Sequence, residues 1–388
     1  MKKPTVAVFF GSRSTEHDVS IITAISTIIK PLQLSGKYEV VPVYIDKKGR
    51  WFSDSKLAQV EIYSLAKIET FLEKLTPLTV QFNGGLTLLH PGLRNKSVKV
   101  DVAFPATHGT YGEDGSLMGV FEMANVAYVG CNVASSAIAM DKVLARTVAA
   151  EAGVDQNKYV WFSADDFKDN QKKIFERISR LEFPLFVKPT HLGSSIAITK
   201  VESKSELDNA IEVALFYDNK VIIEEAVPNL VEVTVPVMGN HELITGNTEE
   251  PNQGDGFFDF ETKYMKGGNK TQKAQASGAK QGAQGYSHIP ARLEESLRQE
   301  CLEIAKTVYS SIGASGIARV DLLVDSKAKK PYFNEVNPLP GSLYAHNWRS
   351  VSISNVQLVE KLVEFAEQRF KEQSDKNTTF STNFLKQF

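Results

Sequence analysis

Cysteine is nearly absent from this chain: Cys131 and Cys301 are the only two, far apart and each in an apolar setting. That excludes a disulfide framework, makes both core residues, and points to a reducing cytosol. An excess of charge of one sign is lacking as well. Lysine and arginine number 44 against 46 acids, a formal net charge of -2, so there is no general attraction to nucleic acid or to anionic membranes. Small-molecule partners are expected instead. No apolar run approaches the roughly 18 residues of a membrane span. The run Val6–Gly11 has no cleavage-like segment after it and reads as a first strand rather than a signal peptide. His90, His191, His241 and His288 lack metal-ligand spacing and read as ordinary, and His17, beside Glu16, reads as a loop residue with a catalytic base as the alternative. Neither G-x-x-x-x-G-K-[ST] nor G-x-G-x-x-G occurs, so a bound nucleotide would need another phosphate-holding device.

What is present, 388 residues with 42% hydrophobic and 23% charged, exceeds one ordinary core and predicts two or three domains. "TVAVFF" (5–10) ends at Gly11, "SIITAISTIIKPL" (20–32) has helical spacing, and "YEVVPVYI" (38–45) is a second strand. The pattern returns at "VDVAFPA" (100–106), followed by a Gly-rich loop, a helix through 117–124 and "VAYVG". Alternating strands and helices predict a mostly parallel, doubly wound α/β domain over 1–135. A compact α+β unit follows over 136–227: a helix 139–152, "YVWFS", a charged helix 165–180, "PLFVKP", "SIAITKV", a helix 204–217 and "KVIIEEAV". The third unit, 228–373, contains strands 231–238 and 242–246, a helix 291–311, "IARVDLLVD" and "PYFNEVN". It closes on a helix 353–370 with Val356, Val359, Leu362 and Phe365 on one stripe. The Gly, Lys and Gln rich segment 266–285 cannot order itself by burying a core, and is a solvated loop or a lid. The polar tail 374–388 carries no assigned role, and there is no internal repeat.

Three stretches carry chemistry. In "FVKPTHLGSS", Lys188 ends a strand, and Gly193, Ser194 and Ser195 can bring N–H groups and hydroxyls to phosphate oxygens. A lysine before proline is also simply a strand stop, and Lys142 in "MDKVLAR" also reads as a solvated lysine. The third stretch is the pair "ARVDLLV" and "NEVNPLPG". Residues two apart on a strand share a side, so Asp321, Glu335 and Asn337 on neighbouring strands form a hard oxygen set of the kind Mg²⁺ prefers. Arg319 shares that face and could neutralise a phosphoryl group in transfer. The bland alternative is a pair of edge strands with polar outward faces.

The ordered set "GSRSTEHDVS", "HGTYGEDGSLMG", "YVGCNVASSAIAMDK", "FPLFVKPTHLGSS", "VIIEEAV", "DFETKY", "ARVDLLV" and "NEVNPLPG" resembles the D-alanine:D-alanine ligases of the ATP-grasp superfamily, from about residue 5 to 365. The resemblance implies a three-domain ATP-grasp architecture: a doubly wound N-terminal domain and two α+β domains gripping ATP. It implies that Lys142, Lys188 and Ser195 hold phosphates and that Glu224, Glu225, Val227 and Glu232 surround adenine and ribose. It assigns two Mg²⁺ ions, with Mn²⁺ as an alternative, to Asp321, Glu335 and Asn337. Glu16 would take the ammonium of the first D-alanine, His108 would lie near its carboxylate or acyl phosphate, and Glu16, Ser194 and Tyr264 would form a hydrogen-bonded triad. Arg319 and the N–H of Gly341 would face the oxyanion, and the loop 264–286 would be the lid. The family further implies a cytoplasmic homodimer serving peptidoglycan precursor synthesis.

The chain departs from the family at Ser12 and Ala197, where glycine is usual, and after Gly341, where "SLYAHNW" replaces the common pattern. By position, His346 and Asn347 would meet the acceptor's carboxylate, while "KY" at 263–264 favours an amine over a hydroxy acid. Three readings result: a D-alanine:D-alanine ligase, the same chemistry with another amino-acid acceptor, or a nucleotide-binding sensor without catalysis.

Overall fold

The computed structural model describes residues 2–91, 96–193, 197–251, 287–376 and 385. The expected lid, together with Ser194, Ser195 and Tyr264, lies outside them.

The N-terminal region holds β1 (Thr5–Gly11), α1 (His17–Ile22), α2 (Lys30–Ser35), β2 (Glu39–Ile45), β3 (Trp51–Phe52), α3 (Leu65–Leu72), β4 (Thr79–Phe82), β5 (Leu86–His90), β6 (Lys96–Val100), β7 (Val102–Pro105), α4 (Ser116–Met123) and β8 (Ala127–Tyr128). Its main sheet runs β3-β2-β1-β7-β8, with β2, β1, β7 and β8 parallel and β3 antiparallel at the edge. β1 is wholly buried because it is apolar on both faces, as a central parallel strand must be. The helix expected over 20–32 spans more: α1 and α2 are joined by a π-helical stretch, Thr23–Ile29, just ahead of Pro31. Proline supplies no N–H, and wider bonding before it lets the helix pass. A second difference is the antiparallel sheet β4-β5-β6. Its Leu86, Leu88 and Val100 join α4 in covering the β1 face that carries Ala7 and Phe9.

The central region comprises α5 (Val133–Met140), α6 (Lys142–Glu151), β9 (Tyr159–Ser163), α7 (Ala164–Ile178), β10 (Leu185–Pro189), β11 (Thr199–Val201), α8 (Leu207–Tyr217) and β12 (Lys220–Glu225). The single helix expected over 139–152 is two, because Asp141 leaves helical geometry and caps α6 through its side chain. The sheet runs β11-β10-β12-β9, all antiparallel.

The remaining elements are β13 (Leu230–Gly239), β14 (Leu243–Thr245), β15 (Glu250–Pro251), β16 (Ser287–His288), α9 (Glu295–Ser311), β17 (Gly316–Asp325), β18 (Lys330–Asn337), α10 (Ala345–Ser350) and α11 (Asn355–Ser374). The sheet β14-β13-β17-β18 packs one face on α9. α11 begins with a Ser354–Gln357 capping box and buries Leu358, Val359, Leu362 and Val363 against Val6, Val8, Ile25 and Ile28. The last helix thus returns to the N-terminal core, a connection that local patterning does not reveal.

At the two departures from glycine, φ is +85° for Ser12 and +57° for Ala197. The backbone keeps the left-handed conformation and loads it with a side chain at a cost of about 1 kcal/mol. At Gly11 the requirement is strict: φ is +95°, and a Cβ would meet the Ile45 carbonyl at 2.2 Å. We expect Ala197→Gly to raise stability in denaturant unfolding by up to about 1 kcal/mol, and Gly11→Ala to lower it by about 2 kcal/mol or more.

Candidate active site

β17 and β18 pair antiparallel with Asp321 opposite Glu335 and Arg319 opposite Asn337, so the four side chains share one face. A bulge after Asp321 shifts the register beyond it. Two acids placed opposite one another repel, and cations offset them here. Arg319 donates from Nε and Nη2 to Asp321 at 2.8 and 2.7 Å, and Lys142 Nζ lies 3.1 Å from Glu335. Burial works against ionisation of Glu335, but Lys142, Lys188 and Arg319 outweigh it and hold the carboxyl at about 2. Burial likewise opposes the Arg319 charge, and Asp321 overcomes it and raises the guanidinium further.

A cavity of about 150 Å³ opens from this face between the central and C-terminal sheets. Phe186, Ile198, Val227, Leu322 and Leu323 supply apolar wall. Lys142, Lys188, Glu224, Glu225, Glu232, Arg319, Asp321 and Glu335 supply charge. Lys188 ion-pairs with the buried Glu224, which also accepts from Arg146 Nη2 at 2.5 Å. Burial disfavours the Glu224 charge, yet Arg146 and Lys188 keep its carboxyl below the usual range. Glu225 pairs with Lys158 at 3.4 Å.

A second cavity of about 70 Å³ is lined by Glu16, His108, Glu113, Asn337, Pro338 and Gly341. It shares Lys142, Leu192, Gly193, Arg319 and Glu335 with the first, so the two form one path. Glu16 stands close to both loops that frame it: a Cβ on Gly109 or on Gly193 would lie 3.1 or 3.7 Å from its Oε2. His108 is held by Glu113 on Nδ1 at 3.2 Å and by Thr23 Oγ1 on Nε2 at 2.9 Å. Thr23 Oγ1 also accepts the N–H of Ser342 at 3.0 Å, tying the π-helical stretch to the turn after Gly341. Burial opposes a charge on His108, but Glu113 and the more distant Glu16 move the imidazole above its ordinary range.

Of the residues expected from sequence, Glu16, His108, Asn337 and Gly341 meet at the second cavity, and the phosphate, ribose and acid groups at the first. His346 and Asn347 line neither. His346 Nε2 binds Glu249 at 2.8 Å, and the buried Asn347 exchanges hydrogen bonds with the Asn247 backbone and donates to Glu249 at 3.1 Å. Glu249 and Tyr344 are at the wall instead, and no local motif singles out either. Ser342, Leu343 and Tyr344 are all left-handed, and this turn sets the Tyr344 ring 5.4 Å from the Arg319 guanidinium. Glu113, Thr23 and Arg146 were missed as well; "GEDG" beside His108 was the one local signal. His17, expected in a loop, begins α1, is buried against Ser12 O and Tyr44 and lines neither cavity. Among the described residues no three His, Cys, Asp or Glu side chains form a metal-holding group. The donor set Asp321, Glu335 and Asn337 has an amide as third member, and its all-oxygen character with an ionised carboxylate fits Mg²⁺.

Two facing antiparallel sheets, with Lys188 on one, an acid-acid-amide face on the other and Lys142 at the start of the helix beside them, define an ATP-grasp ligase. The family models described as D-ala D-ala ligase N-terminus and C-terminus match residues 5–131 and 148–364. The chain is 36% identical to the D-alanine--D-alanine ligase of Chloroherpeton thalassium, covering 96% of this chain and 98% of that one. It is 34% identical to that of Thermosipho melanesiensis, covering 98% of each. Among solved structures, the VanG D-Ala:D-Ser ligase from Enterococcus faecalis aligns with a TM-score of 0.76 at 32% identity over 94% of this chain and 100% of that one. The D-alanine-D-alanine ligase from Coxiella burnetii aligns at 0.77 and 27% over 96% and 97%. This chain belongs to the D-alanine–D-alanine ligase family.

Two glutamates should respond differently to removal of their charge. Glu224→Gln leaves Arg146 and Lys188 uncompensated in the interior and is expected to lower stability by about 3 kcal/mol in denaturant unfolding. Glu335→Gln is expected to keep the melting temperature nearly unchanged and to lower Mg²⁺-dependent turnover by about 100-fold or more.

Proposed function

We propose that this enzyme joins two D-alanines into D-alanyl-D-alanine with conversion of ATP to ADP and phosphate, supplying a cell-wall precursor. The observation that carries the reading is the Asp321–Glu335 face, flanked by Lys142 and Arg319, at the junction of the two cavities. ATP fits the larger cavity with its base along Phe186 and Leu322, its ribose toward Glu232, and its phosphates toward Lys142 and Lys188. The first D-alanine fits the smaller one, its ammonium on Glu16 and its carboxylate near His108, whose ring Glu113 and Thr23 orient.

Asp321, Glu335 and Asn337 would hold Mg²⁺, which when bound offsets phosphate charge and steadies the transferring phosphoryl group. A carboxylate is a poor electrophile. Phosphoryl transfer from ATP to the donor carboxylate makes an acyl phosphate, the cations Lys142, Lys188 and Arg319 stabilising the charge that gathers. The acceptor amine then attacks the acyl carbon, the new C–N bond forms, the amine loses its proton, and phosphate leaves. Arg319 and the Gly341 N–H face the tetrahedral oxyanion, each good donor contributing about 3 kcal/mol. The family roles of Ser194, Ser195, Tyr264 and the 264–286 segment, which lie outside the described residues, would be to cover the phosphates and exclude water, which hydrolyses an acyl phosphate. The buried free thiols Cys131 and Cys301 suit a cytoplasmic enzyme, and no helix among the described residues could cross a membrane. A homodimer, two ions per site and Mn²⁺ as a substitute follow the family.

A second acceptor is favoured by one observation: Glu249 and Tyr344 stand at the cavity wall, whereas His346 and Asn347, expected at the acceptor's carboxylate, line neither cavity and bind Glu249. The VanG relative, titled a D-Ala:D-Ser ligase, is a precedent for a changed acceptor. Incubation with ATP, Mg²⁺ and a panel of D- and L-amino acids, followed by phosphate release and product mass, tests both. D-Ala-D-Ala as main product supports the first reading, a mixed dipeptide the second, and no amino-acid-dependent phosphate refutes both.

A further inference from the structure

His191 shows no metal-ligand spacing, yet its ring joins two carboxylates from separate elements. Nε2 lies 3.3 Å from Asp141 Oδ2, and Nδ1 lies 2.9 and 3.0 Å from the oxygens of Asp218. Its backbone N–H also donates to Asp218 Oδ2 at 2.8 Å. Asp141 is the cap of α6, accepting from Val143 and Leu144 N–H at 2.9 and 3.2 Å, and Lys142 is the first residue of that helix. The segment carrying His191 grips Lys142 at two points. The Lys142 N–H donates to Thr190 O at 3.2 Å, and its Nζ donates to Leu192 O at 2.8 Å. That same Nζ faces Glu335 at the wall shared by both cavities.

We propose that His191 is a positioning residue for the triphosphate grip: as an imidazolium tied to Asp141 and Asp218, it holds residues 190–193 against Lys142 and so fixes where the lysine ammonium stands. The proposal rests on the reading of Lys142 as a phosphate-binding lysine. An imidazole donates from both nitrogens only when doubly protonated. Hydrogen bonds from the ring to Asp141 and Asp218 move it up to about 9 against the pull of burial, and both aspartates are held below the usual carboxylate range. The further charge at this junction is Lys220, which donates to Asp141 Oδ2 at 2.7 Å with the Trp161 ring 4.8 Å from its ammonium. Because the folded value exceeds the ordinary 6.5, the bridge is complete below about pH 6.5 and is lost as pH rises through about 9. A half-exposed ion pair contributes little to stability by itself. The consequence is therefore expected in nucleotide binding rather than in folding.

The test is calorimetric binding of Mg–ATP without amino acids, whose amines would titrate, at pH 7 and 9.5. The proteins are the wild type, His191→Gln, His191→Arg and Lys142→Ala, each with its melting temperature, and with kcat at saturating ATP. At pH 7 His191→Gln is expected to weaken ATP about tenfold, with kcat at saturating ATP lowered by less than that, since Lys142 also faces the charge of phosphoryl transfer. Raising the pH to 9.5 should bring the wild-type constant close to that of His191→Gln, whose own constant moves little. His191→Arg, which keeps its charge, should restore most of the affinity at both pH values. A lowered melting temperature with unchanged ATP affinity in His191→Gln would make the residue merely structural and overturn the proposal. An identical pH response in wild type and His191→Gln would also overturn it. If Lys142→Ala binds ATP normally, the reading of Lys142 falls and takes the proposal with it; if only Lys142→Ala is impaired, the reading stands and the His191 role fails.

Discussion

Asp321 and Glu335 stand opposite each other on adjoining antiparallel strands, an arrangement that repels unless positive charge is held beside it. Arg319 reaches one acid from its own strand, two residues away, and Lys142 reaches the other from the start of α6 in a different sheet region. The ladder between β17 and β18 therefore depends on the α5–α6 break for its neutrality, and that break is made by Asp141 capping α6. Fold and chemistry meet at this point. On the proposed reading of this face as the metal site, the two acids would exchange those cations for a metal ion and phosphate without reorganising the strands.

The smaller cavity depends on contacts of much longer range. α11, at the far end of the chain, packs on the N-terminal core, and this brings the turn after Gly341 beside the helix that follows β1. Thr23 then accepts from Ser342 N–H while meeting His108. One hydroxyl in a π-helical stretch links the two loops that frame the smaller cavity. The widened helix, with Pro31 behind it, is part of how the site is aimed.

Much of this was legible in the sequence. Period-two spacing on two strands put Arg319, Asp321, Glu335 and Asn337 on a common face, and strand pairing brings those faces together. Lys142 and Lys188 were legible as candidates only within the ordered family motifs, since each alone also reads as a surface lysine or a strand stop. Some misses had local signals. Asn83–Gly84–Gly85 between alternating segments marks the β4–β5 hairpin, and Asp before Lys142 marks a helix cap. Other misses had none. Glu249 sits at the cavity wall because β13 and the α10 region flank it, and Tyr344 reaches Arg319 only through three successive left-handed residues that contain no glycine. Steric preference argues against such a turn at every one of its positions.

The sequence by itself determined which residues could do the chemistry, because oxygen donors, lysines and their strand periodicity are local properties that survive in any fold accommodating those strands. The tertiary structure alone decided which charges neutralise which, and which polar groups reach a cavity. Lys142 with Glu335, Arg146 with Glu224, and His191 with Asp141 and Asp218 are pairings across 193, 78, 50 and 27 positions of chain. Coulomb energy depends on distance in space and on the dielectric around the pair, and separation along the chain fixes neither.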